Sequence, residues 1–105
     1  MFDIESIQSM FESNSVKFTQ HFKARIKERG IRFSDVEQAL QTGEIIEQSL
    51  DAKPLPSILI FGYNNSIPIH VVVSVDDDFI FLVTAYYPSA EIWEPDYKTR
   101  KVVVK

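Results

Sequence analysis

The chain has 105 residues, 45% of them hydrophobic and 25% charged, an ordinary globular composition that excludes overall disorder and supports one hydrophobic core. It has no cysteine, which rules out disulfides and thiolate metal sites and suits a reducing compartment. Its net charge of −4 counts against a generic nucleic-acid binder, whose affinity rests on neutralising phosphates.

No apolar run approaches the roughly 20 residues of a membrane span, and the opening MFDIESIQSMFESNS lacks the basic region of a signal peptide. The expectation is a single cytoplasmic domain over residues 1–105, with no membrane association. Ten of the eleven Lys and Arg residues fall in two blocks. The first holds Lys17, Lys23, Arg25, Lys27, Arg29 and Arg32; the second holds Lys98, Arg100, Lys101 and Lys105. The fold decides whether they are one basic face or two solvated surfaces.

Residues 2–12 carry Phe2, Ile4, Ile7, Met10 and Phe11 at helical spacing, and Ser13-Asn14-Ser15 breaks the pattern. A second helix is expected from an N-cap at Thr19 to Arg29, stopped by Gly30. Phe18, Phe22 and Ile26 define its buried stripe, with Arg25 and Arg29 each about 20° from Phe18 and His21 on the same flank. Ser34-Asp35-Val36-Glu37 reads as a capping box with Ser34 as N-cap, opening a third helix that Gly43 closes.

After Gly43 the period becomes extended. Residues 44–50 (EIIEQSL), 57–63 (SILIFGY), 67–75 (IPIHVVVSV) and 79–87 (FIFLVTAYY) read as strands, the last two apolar at nearly every position and so covered on both faces. Asn64-Asn65 is hairpin chemistry, residues 89–97 read as irregular, and residues 99–105 (TRKVVVK) as a short strand or tail. The order gives an α+β domain with two to three N-terminal helices packed on a four-stranded antiparallel sheet.

A three-residue loop at Asp76-Asp77-Asp78 would set Val75 opposite Phe79 and His70 opposite Thr84, with Tyr86 following on the same face. If the helix pair covers that face, His21, Arg25 and Arg29 approach from the other side. A His/Arg/Tyr set without a central carboxylate suits phosphodiester chemistry that needs no metal or other cofactor. His or Tyr moves the proton of a ribose 2′-hydroxyl, and Arg neutralises charge on phosphorus. Trp93 and Tyr97 are candidates to stack a base. The same residues also fit a structural network: His70 as a packed strand residue, Arg25 and Arg29 paired with Glu44 or Glu47, and Trp93 as a loop anchor. Two histidines without cysteine make a zinc site a poor fit, and three glycines leave no phosphate-binding loop.

The order H-x3-R-x3-R-G (His21, Arg25, Arg29, Gly30), SDVEQAL-x2-GEIIE, PSILIFG, IHVVV with His70, TAYYP with Thr84 and Tyr86, then Trp93 and Arg100, resembles the prokaryotic domain-of-unknown-function family DUF4258 over roughly residues 18–101. Members of that family are often encoded beside small antitoxin-like proteins, and their fold is similar to RelE/ParE-type toxins. The resemblance implies a toxin of a toxin–antitoxin module acting as an RNA endonuclease, with an antitoxin-like partner and RNA or the ribosome as target. Its site residues would be His21, His70 and Tyr86 for proton transfer and Arg25, Arg29, Thr84, Trp93 and Arg100 for substrate. The other reading is a non-catalytic protein-interaction module.

Overall fold

The computed structural model of the chain describes residues 2–102. Its order is α1 (Ile4–Glu12), β1 (Val16–Phe18), α2 (Gln20–Glu28), α3 (Phe33–Thr42), β2 (Glu44–Ser49), β3 (Ser57–Asn64), β4 (Ile67–Val75) and β5 (Ile80–Tyr86). The sheet has five strands rather than four, in the order β1-β5-β4-β3-β2. β2 to β5 form an antiparallel meander, and β1 adds a parallel edge, Val16 to Phe18 lying against Ile80 to Leu82. Phe18 is therefore a strand residue, 41% exposed, and not the first rung of a helical stripe. Its aromatic spacing from Phe22 imitates a helix; the chain turns at Thr19, whose hydroxyl accepts from the Phe22 N–H at 3.1 Å and starts α2 there.

The turn between α2 and α3 follows from Gly30. Its φ of +70° allows the Gly30 N–H to reach the Lys27 carbonyl and the Ile31 N–H to reach that of Ile26, while the two isoleucines bury together. This paired closure stops the helix and sends the chain back. α3 begins earlier than the Ser34 cap would place it. Asp35 supplies the capping carboxylate, accepting from the Arg32 N–H at 2.8 Å. Asp35 is 4% exposed and also accepts from the Asn64 side-chain amide at 2.6 Å, fastening the start of α3 to the β3–β4 hairpin. The two-residue loop of that hairpin, Asn65-Ser66, has positive φ at both positions, the geometry that matches strand twist.

The helices cover one face of the sheet. Ile58 and Ile60, with Ile69, Val71, Val73, Val75, Ile80, Leu82 and Ala85, pack against Ile7, Phe22, Ile26, Val36, Ala39 and Leu40. Gly62 belongs to this face, and a Cβ there would collide with the Ala39 carbonyl, so α3 lies as close to β3 as a bare backbone permits. The intervening residues point to the opposite face. There Leu59, Phe61 and His70 are buried without any helix above them. The segment after β5 covers them instead, with Trp93, 2% exposed, as its anchor and an antiparallel bridge between Trp93 and Arg100. The terminal strand or tail over residues 99–105 lies partly outside the described residues.

Candidate functional site

The register of β4 and β5 fixes the centre of this second face. Val75 pairs with Ile80, not with Phe79, because Asp76 accepts the N–H groups of Asp78 and Phe79 and makes a four-residue loop. A bulge between Val72 and Val73 then shifts the pairing again, so that His70 faces Tyr86 and Val72 faces Thr84. The expected pairing of His70 with Thr84 is thus out by two residues. The error preserves the face, because side chains alternate with a period of two.

His70 is fully buried. Its Nε2 lies 2.8 Å from the Tyr97 carbonyl and its Nδ1 3.3 Å from the Tyr86 hydroxyl. A carbonyl can only accept, which assigns the imidazole proton to Nε2 and leaves Nδ1 to accept from the Tyr86 O–H. Burial pushes the His70 pKa down; the Tyr97 carbonyl and the Glu47 charge oppose that, and Arg100 adds to it. Burial likewise pushes the Tyr86 phenol up, against the pull of Arg100. At neutral pH the pair is a phenol donating to a neutral imidazole.

Around this pair the chain closes with charges. Arg100 donates to both carboxylate oxygens of Glu47, at 2.7 and 3.0 Å, and its guanidinium lies 4.7 Å over the Trp93 ring. Lys98 pairs with Glu44 at 2.8 Å. The Trp93 ring stands edge-on to His70, with centroids 4.5 Å apart. Beside them is a shallow pocket of about 210 Å³ with Leu59, Val72 and Tyr86 among its walls and Glu47, Ser49, Ser57 and Arg100 supplying polar groups. It presents a phenol backed by an imidazole, a carboxylate and a guanidinium, groups able to move a proton and to hold an anion. Among the described residues no three His, Asp or Glu side chains gather in a way that would hold a metal ion.

A family model described as a domain of unknown function, DUF4258, matches residues 18–87, two thirds of the chain. The chain belongs to the DUF4258 family. No curated protein and no solved structure matches it. The DUF4258 match ends at Tyr87, short of residue 101, where the motif resemblance ends. It takes in His70, Tyr86 and Glu47 and stops before Trp93, Tyr97 and Arg100. The DUF4258 region thus contributes the sheet half of the pocket, and the following segment contributes its cover.

Within this DUF4258 chain the expected site residues divide. His70, Tyr86, Trp93 and Arg100 come together on the sheet face away from the helices. Trp93 is buried between His70 and the Arg100 guanidinium rather than offered to a base. Arg29 and Thr84 meet at the outer edge of β5, where one Arg29 nitrogen donates to the Thr84 hydroxyl and the Ala85 carbonyl, both at 2.9 Å. That edge is open because β1 pairs only as far as Leu82. His21 and Arg25 stay on α2 in solvent, where the Arg25 Nε–H donates to His21 Nε2 at 3.3 Å. Among the described residues neither forms a hydrogen bond or ion pair with the pocket residues. Glu44 and Glu47 pair with the second basic block and not with Arg25 or Arg29.

Glu47 and the Tyr97 carbonyl are parts of the site that sequence reasoning did not place. Lys98 leaves the turn that Asp96 closes by accepting the Lys98 and Thr99 N–H groups, two residues before Arg100, whereas Glu44 and Glu47, three apart in a strand, should oppose each other. A bulge between Ile45 and Glu47 brings both acids onto the face of Phe61 and Leu59. Two acids and two bases, each set close together in sequence, were the available signal, but their spacings differ by one residue and only the bulge reconciles them.

Proposed function

We propose that this DUF4258 chain is a toxin-like, metal-independent RNA endonuclease with a RelE/ParE-like fold, acting in the cytoplasm at the Tyr86–His70–Arg100 pocket. The observation that supports it is the directed hydrogen-bond chain. Tyr86 donates to a buried His70 whose tautomer is held by the Tyr97 carbonyl, and an arginine stands at the same pocket. This is the order of reacting group, base and orienting group that general-base catalysis requires. The Tyr86 oxygen takes the proton of a ribose 2′-hydroxyl while its own proton passes to His70 Nδ1. The 2′-oxygen attacks phosphorus, the 5′-oxygen leaves and takes a proton from water, and the products are a 2′,3′-cyclic phosphate and a 5′-hydroxyl. Arg100 turns from Glu47 to the phosphate. Its charge then no longer opposes the imidazolium, and Glu47 is freed to favour it.

The test is growth arrest and transcript decay on expression, together with cleavage of messenger RNA by purified protein with and without ribosomes. Tyr86→Phe and Arg100→Ala are expected to abolish cleavage while leaving the chain folded. Intact RNA under all these conditions, with harmless expression, ends the nuclease reading.

A second reading, a non-catalytic module that binds a small antitoxin-like protein, draws on the complete burial of His70 and the two-point Glu47–Arg100 pair, which satisfy each other without a ligand. It requires a stoichiometric partner on purification from the native host and no effect of Tyr86→Phe beyond stability.

A further inference from the structure

On the helix side two hollows of about 540 and 430 Å³ meet at Lys23 and Phe33. Together they form a groove across the α1, α2 and α3 surfaces that has no part in the pocket on the other face. The first hollow is walled by Phe11, Val16, Phe18 and Phe33, an aromatic cluster in which Phe18 and Phe33 lie 5.2 Å apart and Phe18 remains 41% exposed. The second runs over the α2–α3 turn, floored by Ile26, Ile31 and the bare backbone of Gly30, where a Cβ would meet nothing within 4 Å.

The charges around this groove are sorted. The second hollow is rimmed by Lys23, Lys27 and Arg32 and has no acid in its lining. Lys23 and Lys27 have no carboxylate within 4 Å among the described residues, although the protein carries four more acids than bases. Lys27 also complements the C-terminal end of the α2 dipole. Lys23, a turn earlier, lies outside that last turn, and its ammonium stands 5.9 Å from the centroid of the Phe18 ring in the groove wall. At the far end of the groove the rim is acidic, with Glu12 and Glu37.

From this polarity we infer that the groove is a docking site for an amphipathic protein helix that is acidic at one end and basic at the other. Its apolar face fills the two hollows, and its acidic end lies over Lys23, Lys27 and Arg32. An apolar channel sets the mode, a helix presenting anchors at i, i+4 and i+7. Unlike charges at its two ends set the direction. This inference stands apart from the nuclease reading, since it uses none of that site's residues.

The probe is a fluorescein-labelled synthetic helix with leucines at heptad spacing, glutamates in its first half and lysines in its last turn. It is followed by fluorescence anisotropy against the full chain. Controls are a peptide with glutamates and lysines exchanged in position, a scrambled peptide of equal composition, and a single-stranded RNA oligonucleotide as competitor. Binding by the first peptide is expected to weaken about tenfold or more in Lys23→Glu/Lys27→Glu and in raised salt, and to weaken similarly in Phe18→Ser. All three positions are exposed, so the fold is expected to survive, and circular dichroism checks this. The inference is overturned if the peptide does not bind, if the charge-exchanged or scrambled peptide binds as well, if the double variant binds unchanged, or if RNA displaces the peptide from the same lysines. Tyr86→Phe should leave peptide binding intact whatever becomes of RNA cleavage, so the two proposals fail separately.

Discussion

Replacing Trp93 with alanine asks what holds the segment over residues 88–101 on the sheet. The indole is 2% exposed and stands edge-on to His70, and truncating so large a buried ring costs about 3–5 kcal/mol. The other attachments are weak. The Lys98–Glu44 and Arg100–Glu47 pairs stand half in solvent, where ion pairs add little. The bond from His70 to the Tyr97 carbonyl is worth about 0.5–1.5 kcal/mol. Against them, each residue kept in place costs about 1–2 kcal/mol of backbone freedom. Without the indole the segment should therefore leave the sheet while the helices and strands remain folded. Amide hydrogen exchange is the direct assay. The N–H groups of Glu94 and Lys101, bonded to the Thr99 and Ile92 carbonyls, should lose protection, and those of β3 and β4 should keep most of theirs. Trp93 is the only tryptophan, so urea unfolding must be followed by circular dichroism. Its free energy should fall by at most the 3–5 kcal/mol above, because only the segment's net contribution can be lost. If Glu94 and Lys101 stay protected and stability changes by less than about 1 kcal/mol, the indole is not the anchor.

The buried imidazole gives a pH signature. Burial depresses the His70 pKa in the folded chain, so the unfolded chain takes up the proton first. Stability should be complete above the unfolded value of about 6.5 and decline as pH falls through the folded one, by about 1.4 kcal/mol for each unit of depression. Urea midpoints from about pH 8 to about pH 5 should show this limb, and His70→Gln should flatten it; an unchanged limb would assign it to other groups. Gly62→Ala forces a methyl against the Ala39 backbone and should lower stability by about 1–3 kcal/mol in urea unfolding, whereas the φ of Gly30, with open space around it, predicts strain without collision in Gly30→Ala. Asp35→Ala leaves the Asn64 amide and the Arg32 N–H without their acceptor and should cost about 1–3 kcal/mol, with exchange of the Asn64 side-chain amide protons as the local readout.

What the sequence revealed of the fold was whatever local chemistry enforces. Thr19 and Gly30 bound α2 because a hydroxyl cap and a positive φ act within a few residues. The nearly continuous apolar run of β4 stood out because that strand is covered on both faces, by helices on one side and by Trp93 on the other. β1 escaped because three residues carry too little periodicity, and Phe18 sits where a helical stripe would also put it. The site was half legible. His70 and Tyr86 were placed on a common face, but each bulge inserts a residue that leaves no compositional mark, so the partner of His70 and the pairing of Glu47 with Arg100 were out of reach. The separation of His21 and Arg25 from the pocket was equally hidden, because it depends on which face of the sheet the helices cover.

The parallel edge has a consequence for how the chain is assembled. Val16 pairs with Ile80, so β1, made before every other strand of the sheet, cannot find its partner until the last of them has been synthesised. The hairpins β2–β3, β3–β4 and β4–β5 close over short loops and can form as they emerge. β1 must meanwhile wait with its backbone donors and acceptors unpaired. The hairpin meander would therefore be a waiting scaffold, and pairing of β1 the last act of folding, with the entropy of its long loop setting the pace.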